Sequence, residues 1–124
     1  MNSLSILVKL VKGFEKVGFR ADLTCAHSGD SKSTDEERKY LSFVVTTLRV
    51  SKDDVVYGYI DLRGQKYSSR REGEDKFPRI SSLEVFNPIM KSIYKTSHLY
   101  ETSDDNVIKI LVQVIDYFRS KEVK

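Results

Sequence analysis

Two runs rich in β-branched and aromatic residues, Tyr40 to Val50 and Val55 to Leu62, are separated only by Ser51-Lys52-Asp53-Asp54. Strand-forming side chains on both sides of a short polar link are the pattern of an antiparallel hairpin closed by a tight turn. A two-stranded hairpin is marginal in water unless further strands or a helical layer cover its apolar face. The rest of the chain must supply that cover.

From Leu4 to Val17 the apolar residues Leu4, Leu7, Val11 and Phe14 recur at the spacing of one helical face, widened by Ile6, Leu10 and Val17, with Lys9, Lys12 and Lys16 forming a basic stripe opposite. This predicts a first helix, although Leu4, Ile6, Val8 and Leu10 also alternate as a strand would. Gly18 supplies a stop, after which Phe19, Ala21, Leu23 and Cys25 alternate with polar residues and predict a first strand ending near Ala26. Ser28 to Arg38 contains no apolar residue and reads as a long exposed loop. The segment Arg63 to Lys76 is again polar and turn-rich, either a second loop or the frayed tip of a second hairpin.

Ile80 to Phe86 has the composition of a fourth strand. Asn87-Pro88 then reads as a helix start, with Asn as cap and Pro at the first helical position, giving a short helix to about Ser97. Thr102-Ser103-Asp104-Asp105 opens a last helix from about Asp104 to Ser120. Between Val107 and Phe118 only Lys109, Gln113 and Asp116 are polar, and they line up in one narrow stripe. A helix so apolar packs on two sides, against the sheet and against other helices or another molecule.

The expected fold class is therefore α+β: an N-terminal helix, an antiparallel meander of three to four strands, and two C-terminal helices packed on one face. A chain of 124 residues suits a single domain spanning residues 1–124, with exposed loops near 28–38 and 63–77. This order resembles, in topology, that of ubiquitin-conjugating and related RWD-type domains, which run from a helix through a four-stranded meander with a proline-containing exit to further helices. In such an enzyme the catalytic cysteine would follow the proline-containing exit. No cysteine follows Pro78, so conjugating activity is not implied.

The single cysteine, Cys25, excludes an intrachain disulfide and favours a reducing, intracellular compartment, cytoplasmic or nuclear. The apolar stretch Leu4 to Val11 is broken by Lys9 and is too short to span a bilayer, so neither a signal peptide nor membrane association is expected. Cys25 and His27 are the only pair suggesting a nucleophile and its base, and they read more simply as a core residue and a loop entry. His27 and His98 are too far apart in sequence to suggest a metal site, and the acidic loop residues Asp30, Asp35, Glu36 and Glu37 lack the spacing of a calcium loop. The isolated Gly64 and Gly73 match no phosphate-binding pattern. No catalytic residue, metal or cofactor is expected.

Two surfaces remain. The segment Arg63 to Arg79 holds six basic residues against Glu72, Glu74 and Asp75, and Tyr57, Tyr59 and Tyr67 lie on or beside the adjoining strand. Arg63, Lys66, Arg70 and Arg71 with these tyrosines form the candidate binding set, for a partner protein or for RNA or single-stranded nucleic acid held by stacking and phosphate contacts. The second surface is the surplus apolar area of the first and last helices. Together they point to a non-enzymatic interaction module, an adaptor, assembly or regulatory subunit, binding a partner protein or a second copy of itself. Nucleic-acid binding through residues 63–79 is the alternative.

Overall fold

Helix α1 (Ser3–Lys16) buries Ile6, Leu10 and Phe14, positions spaced to share one face, and leaves Lys9, Lys12 and Lys16 in solvent. It stops at Gly18, whose φ of 84° suits a residue without a Cβ. The Phe19 amide donates to the Phe14 carbonyl at 2.9 Å and the Gly18 amide to the Glu15 carbonyl at 3.1 Å, the bond pair of a Schellman motif. The Phe14 and Phe19 rings meet edge to face at 6.2 Å. The cap that ends the helix thus also delivers the chain to the sheet.

The computed structural model describes residues 3–30, 41–67, 79–97, 99 and 102–122. Five strands follow α1: β1 (Arg20–Asp30), β2 (Leu41–Lys52), β3 (Val55–Tyr67), β4 (Arg79–Phe86) and β5 (Ser92–Ser97). Each pairs antiparallel with its neighbour in sequence, in the order β1-β2-β3-β4-β5. The central turn is the residue pair Asp53 and Asp54, at φ 51° and 63°, the left-handed conformation that a type I′ turn requires. Helix α2 (Asp104–Ser120) closes the sequence of elements, and the Ser103 hydroxyl caps it by accepting from the Asn106 amide at 3.3 Å.

Alternation along the strands sorts the side chains onto two faces. Leu48, Val50, Ile60, Leu62, Leu83 and Val85 are buried and packed with Val107, Leu111, Val114 and Phe118 of α2 and the apolar face of α1. Thr47, Arg49, Tyr59, Asp61, Arg63, Ser82 and Glu84 occupy the intervening positions on the opposite, open face. The helices meet where Gly13 faces Ile115, whose Cδ1 fills the space a Cβ would need, and where the Phe14 and Phe118 rings stand 5.5 Å apart. Phe118 reaches the sheet at Gly58, a residue at φ 155° beside a bulge in the β2–β3 ladder. A Cβ there would collide with the Phe86 carbonyl and lie 2.9 Å from the Phe118 ring.

The α+β architecture with helices on one face is as expected, and three finer expectations are corrected. Among the described residues the meander has five strands rather than three to four, and one helix follows it rather than two. The segment expected as a helix from Pro88 is a three-residue hairpin loop, Pro88-Ile89-Met90, followed by β5. Asn87 does cap, but it caps a turn: its Oδ1 accepts from the Ile89 and Lys91 amides at 3.1 and 2.9 Å, while its carbonyl accepts from Met90 at 2.9 Å. Asn followed by Pro suits the first two positions of a type I turn as well as a helix start. The β-branched and aromatic residues of Ser92–Ser97 decide between them. The strands also run further than expected, β1 to Asp30 and β3 to Tyr67, so residues 28–30 and 63–67 are ladder residues rather than loop. Residues 31–38 and 68–77, the rest of the two expected loops, lie outside the described residues. With a strand in place of the second helix, the element order departs from that of RWD-type domains.

Candidate interaction surface

The residues singled out in the sequence divide between two places. Tyr59 and Arg63 share the open face of the sheet. Lys66 and Tyr67 continue β3 opposite Ser42 and Leu41, and Arg70 and Arg71 lie outside the described residues. Tyr57 is not part of this group. The bulge in the β2–β3 ladder turns it to the core side, where its ring meets Phe19 edge to face at 5.2 Å. On the open face Tyr59 has Arg49 and Phe86 as ladder neighbours. Asp61, which accepts a 2.7 Å hydrogen bond from the Thr47 hydroxyl, and Glu84 stand between Tyr59 and Arg63, so this face carries both signs of charge.

A more apolar surface lies at the edge of the sheet, where sequence reasoning placed a helix. β5 has β4 on one side and no strand on the other among the described residues. Its hairpin loop presents Ile89, 81% exposed, and Met90, 53% exposed. Met90 also sits at φ 64°, a left-handed conformation that disfavours side chains other than Gly, Asn and Asp. Ile93 and Tyr94 continue the exposed apolar strip along the strand. On the helix side an open groove of about 230 Å³ runs between β5 and α2, lined by Val85, Ile93, Tyr94, Gln113, Val114 and Tyr117. Gln113, Val114 and Tyr117 of α2 form its helix wall, and Val85, Ile93 and Tyr94 form its sheet wall. Exposed apolar residues scattered singly are ordinary, whereas a run of them on one edge hairpin beside a groove is a candidate binding surface.

The opposite edge is less inviting to a partner strand. β1 is interrupted by a bulge between Leu23 and Cys25, and Arg20 pairs with Asp22 at 3.0 Å, both devices that blunt an edge. Leu23, on the helix side one strand outside Leu48, is 58% exposed for lack of cover at that edge. Cys25 and His27 occupy β1 positions opposite Thr47 and Val45. α2 is covered on its second side only in part: Ile115 packs on Gly13, while Ile108 and Val112 remain exposed.

A polar depression of about 500 Å³ surrounds the central turn, lined by Arg20, Asp22, Arg49, Lys52, Asp53 and Asp54 among others. Its charges are largely answered locally. Lys52 pairs with Glu122 at the end of α2 and lies 5.5 Å over the Phe19 ring. The hydrogen bond to the Glu122 carboxylate raises the Lys52 ammonium above its usual pKa of 10.5, against partial desolvation that lowers it. Among the described residues no group of three or more His, Cys, Asp or Glu is placed to hold a metal ion, and no helix is long and apolar enough to cross a membrane. Comparison of the chain with protein families, with curated proteins and with solved structures finds no match.

Proposed function

We propose that this chain is a non-enzymatic protein-interaction module, an adaptor, assembly or regulatory subunit working inside the cell, that docks its partner along β5. The observation that carries this reading is the apolar strip Ile89, Met90, Ile93 and Tyr94 on an edge hairpin that opens onto the groove beside α2. An edge strand offers unpaired backbone groups that give affinity, and a neighbouring pocket for alternate side chains gives specificity. Tyrosine and methionine are enriched at interface cores. A second copy of the chain is one occupant such an edge admits.

The test compares the wild type with Tyr94→Lys, which places a charge on the docking edge, with melting temperature measured alongside to separate lost binding from lost folding. Species that associate with the wild type, whether other proteins or further copies, are lost from the variant. A partner set unaffected by Tyr94→Lys counts against the site, and a strictly monomeric chain that retains nothing counts against the function.

A second reading, binding of RNA or single-stranded nucleic acid, is supported by Arg49, Tyr59 and Arg63 sharing the open face. It predicts affinity that falls steeply with salt, because phosphate contacts release counterions. Arg70→Glu with Arg71→Glu abolishes such binding while leaving stability unchanged; retention of binding refutes the role of the basic segment.

A further inference from the structure

Independently of β5, we infer that the outer surface of the helix layer binds a second copy of the chain, about a two-fold axis running along the helices. α1 and α2 run in the same direction. Their C-terminal ends meet at Lys52, which pairs with Glu122 and lies over the Phe19 ring, and the Phe14 ring faces that of Phe118. Residue n of α1 therefore stands level with residue n + 104 of α2. The contact of Gly13 with Ile115 agrees with this offset to within two residues, or about 3 Å along a helix.

At 3.6 residues per turn, the side of α1 opposite the buried Ile6, Leu10 and Phe14 carries Val8, Lys12 and Glu15. The outward side of α2 carries Val112, Asp116 and Arg119. All six are exposed, the two valines by 40% and 50%. A two-fold axis parallel to the helices lays α1 of one copy on α2 of the other at equal height. Val8 then meets the partner's Val112, Lys12 meets the partner's Asp116, and Glu15 meets the partner's Arg119. One offset, fixed by packing inside the chain, brings an apolar pair and two opposite-charge pairs into register, and each contact is made twice. The flanking positions agree: Ser5 meets the partner's Lys109, and Lys9 and Lys16 meet the partner's Gln113 and Ser120, so no like charges oppose.

The charge pattern also selects the axis. A two-fold axis across the helices lays α1 on α1 and sets Lys9, Lys12 and Lys16 against the same lysines, a juxtaposition that is costly. Within one chain Lys12 and Glu15 have no ion-pair partner among the described residues. Asp116 and Arg119 pair with each other at 3.7 Å, with side chains 61% and 57% exposed, an arrangement weak enough to be exchanged. Helices of this length, side by side, offer a surface of roughly 400 Å² per copy, below the ~800 Å² per partner of a stable complex. The dimer is therefore weak and in exchange with the monomer.

Sedimentation equilibrium over a concentration series tests the inference, with melting temperature measured on every variant. The wild type is expected to dimerise at roughly 100 µM and above, less as salt rises. Lys12→Glu, which sets a carboxylate against the partner's Asp116, weakens the dimer at least about tenfold. Adding Asp116→Lys to Lys12→Glu restores it. Glu15→Arg and its reversal by Arg119→Glu repeat the test at the second pair, should the first substitution disturb folding. A chain monomeric to about 1 mM overturns the inference, as does a dimer indifferent to Lys12→Glu. Loss without restoration by the swapped pair overturns the axis and the inference with it. Copies held through β5 are lost from Tyr94→Lys, whereas this dimer survives it; a dimer abolished by Tyr94→Lys and kept by Lys12→Glu belongs to β5 and overturns the helical surface.

Discussion

Replacing Gly58 by alanine tests whether the contact between sheet and α2 depends on a missing side chain. Gly58 adopts φ 155°, a region close to forbidden for other residues, and residues held in such regions cost roughly 1–3 kcal/mol. The new methyl group also collides with the Phe86 backbone carbonyl and lies 2.9 Å from the Phe118 ring. Overpacking of this kind costs about 1–3 kcal/mol. The ring can shift at modest expense, but the carbonyl belongs to a strand paired on both sides and cannot. The combined loss is therefore about 2–6 kcal/mol, a large fraction of the roughly 5–15 kcal/mol by which domains are stable. With an unfolding entropy near 2.1 cal/mol/K per residue, a chain of 124 residues loses about 8–23 °C in melting temperature. Thermal and urea unfolding followed by circular dichroism measure it. Phe118→Leu added to Gly58→Ala removes only the ring contact, so it restores little. A loss below about 1 kcal/mol, or full restoration by Phe118→Leu, refutes the account in which the backbone is the unyielding partner.

Other perturbations follow from single features. Asp54→Gly gains about 0.5–1 kcal/mol in urea unfolding, because it relieves a side chain held at φ 63° in a type I′ turn; a loss would show that the Asp54 side chain supports the turn. Met90→Gly stabilises by a similar ~0.5–1 kcal/mol yet weakens partner binding, and unchanged binding would exclude the hairpin loop from the interface. The raised Lys52 pKa means that the folded state holds this proton more tightly than the unfolded chain. Its contribution is complete below pH 10.5 and is lost as pH rises through the folded value. Lys52→Met is therefore less sensitive than the wild type to alkaline denaturation, and parallel pH profiles would refute the coupling.

The elements legible in the sequence are those whose local chemistry has one solution. α2 announces itself through Ser103, Asp104 and Asp105 at its start and a nearly unbroken apolar surface. The Schellman end of α1 is signalled by Gly18 alone. Asn87-Pro88 has two solutions, a helix cap and a type I turn, and six residues of strand lie too close to the loop for periodicity to separate them. That ambiguity concealed β5, and with it the apolar edge, from the sequence. The reach of β3 past Leu62 was hidden for another reason: Arg63, Gln65 and Lys66 are poor strand formers that join the ladder because Ser42, Phe43 and Val45 pair with them. The basic residues were legible as charge. The turning of Tyr57 to the core was not, because a bulge shifts the side-chain alternation by one residue without changing composition.

The strict neighbour-to-neighbour order of the strands bears on how the molecule is made. Every ladder can zip as its hairpin emerges, without waiting for distant chain. The apolar underside of the sheet is different: Val107, Leu111, Val114 and Phe118 come from α2, which follows all five strands in the chain. Until they arrive, Ile60, Leu62, Leu83 and Val85 have only α1 above them. A nascent chain halted before Val107 would present a largely finished sheet with half its roof missing, the form in which this fold is most open to chaperones and to aggregation.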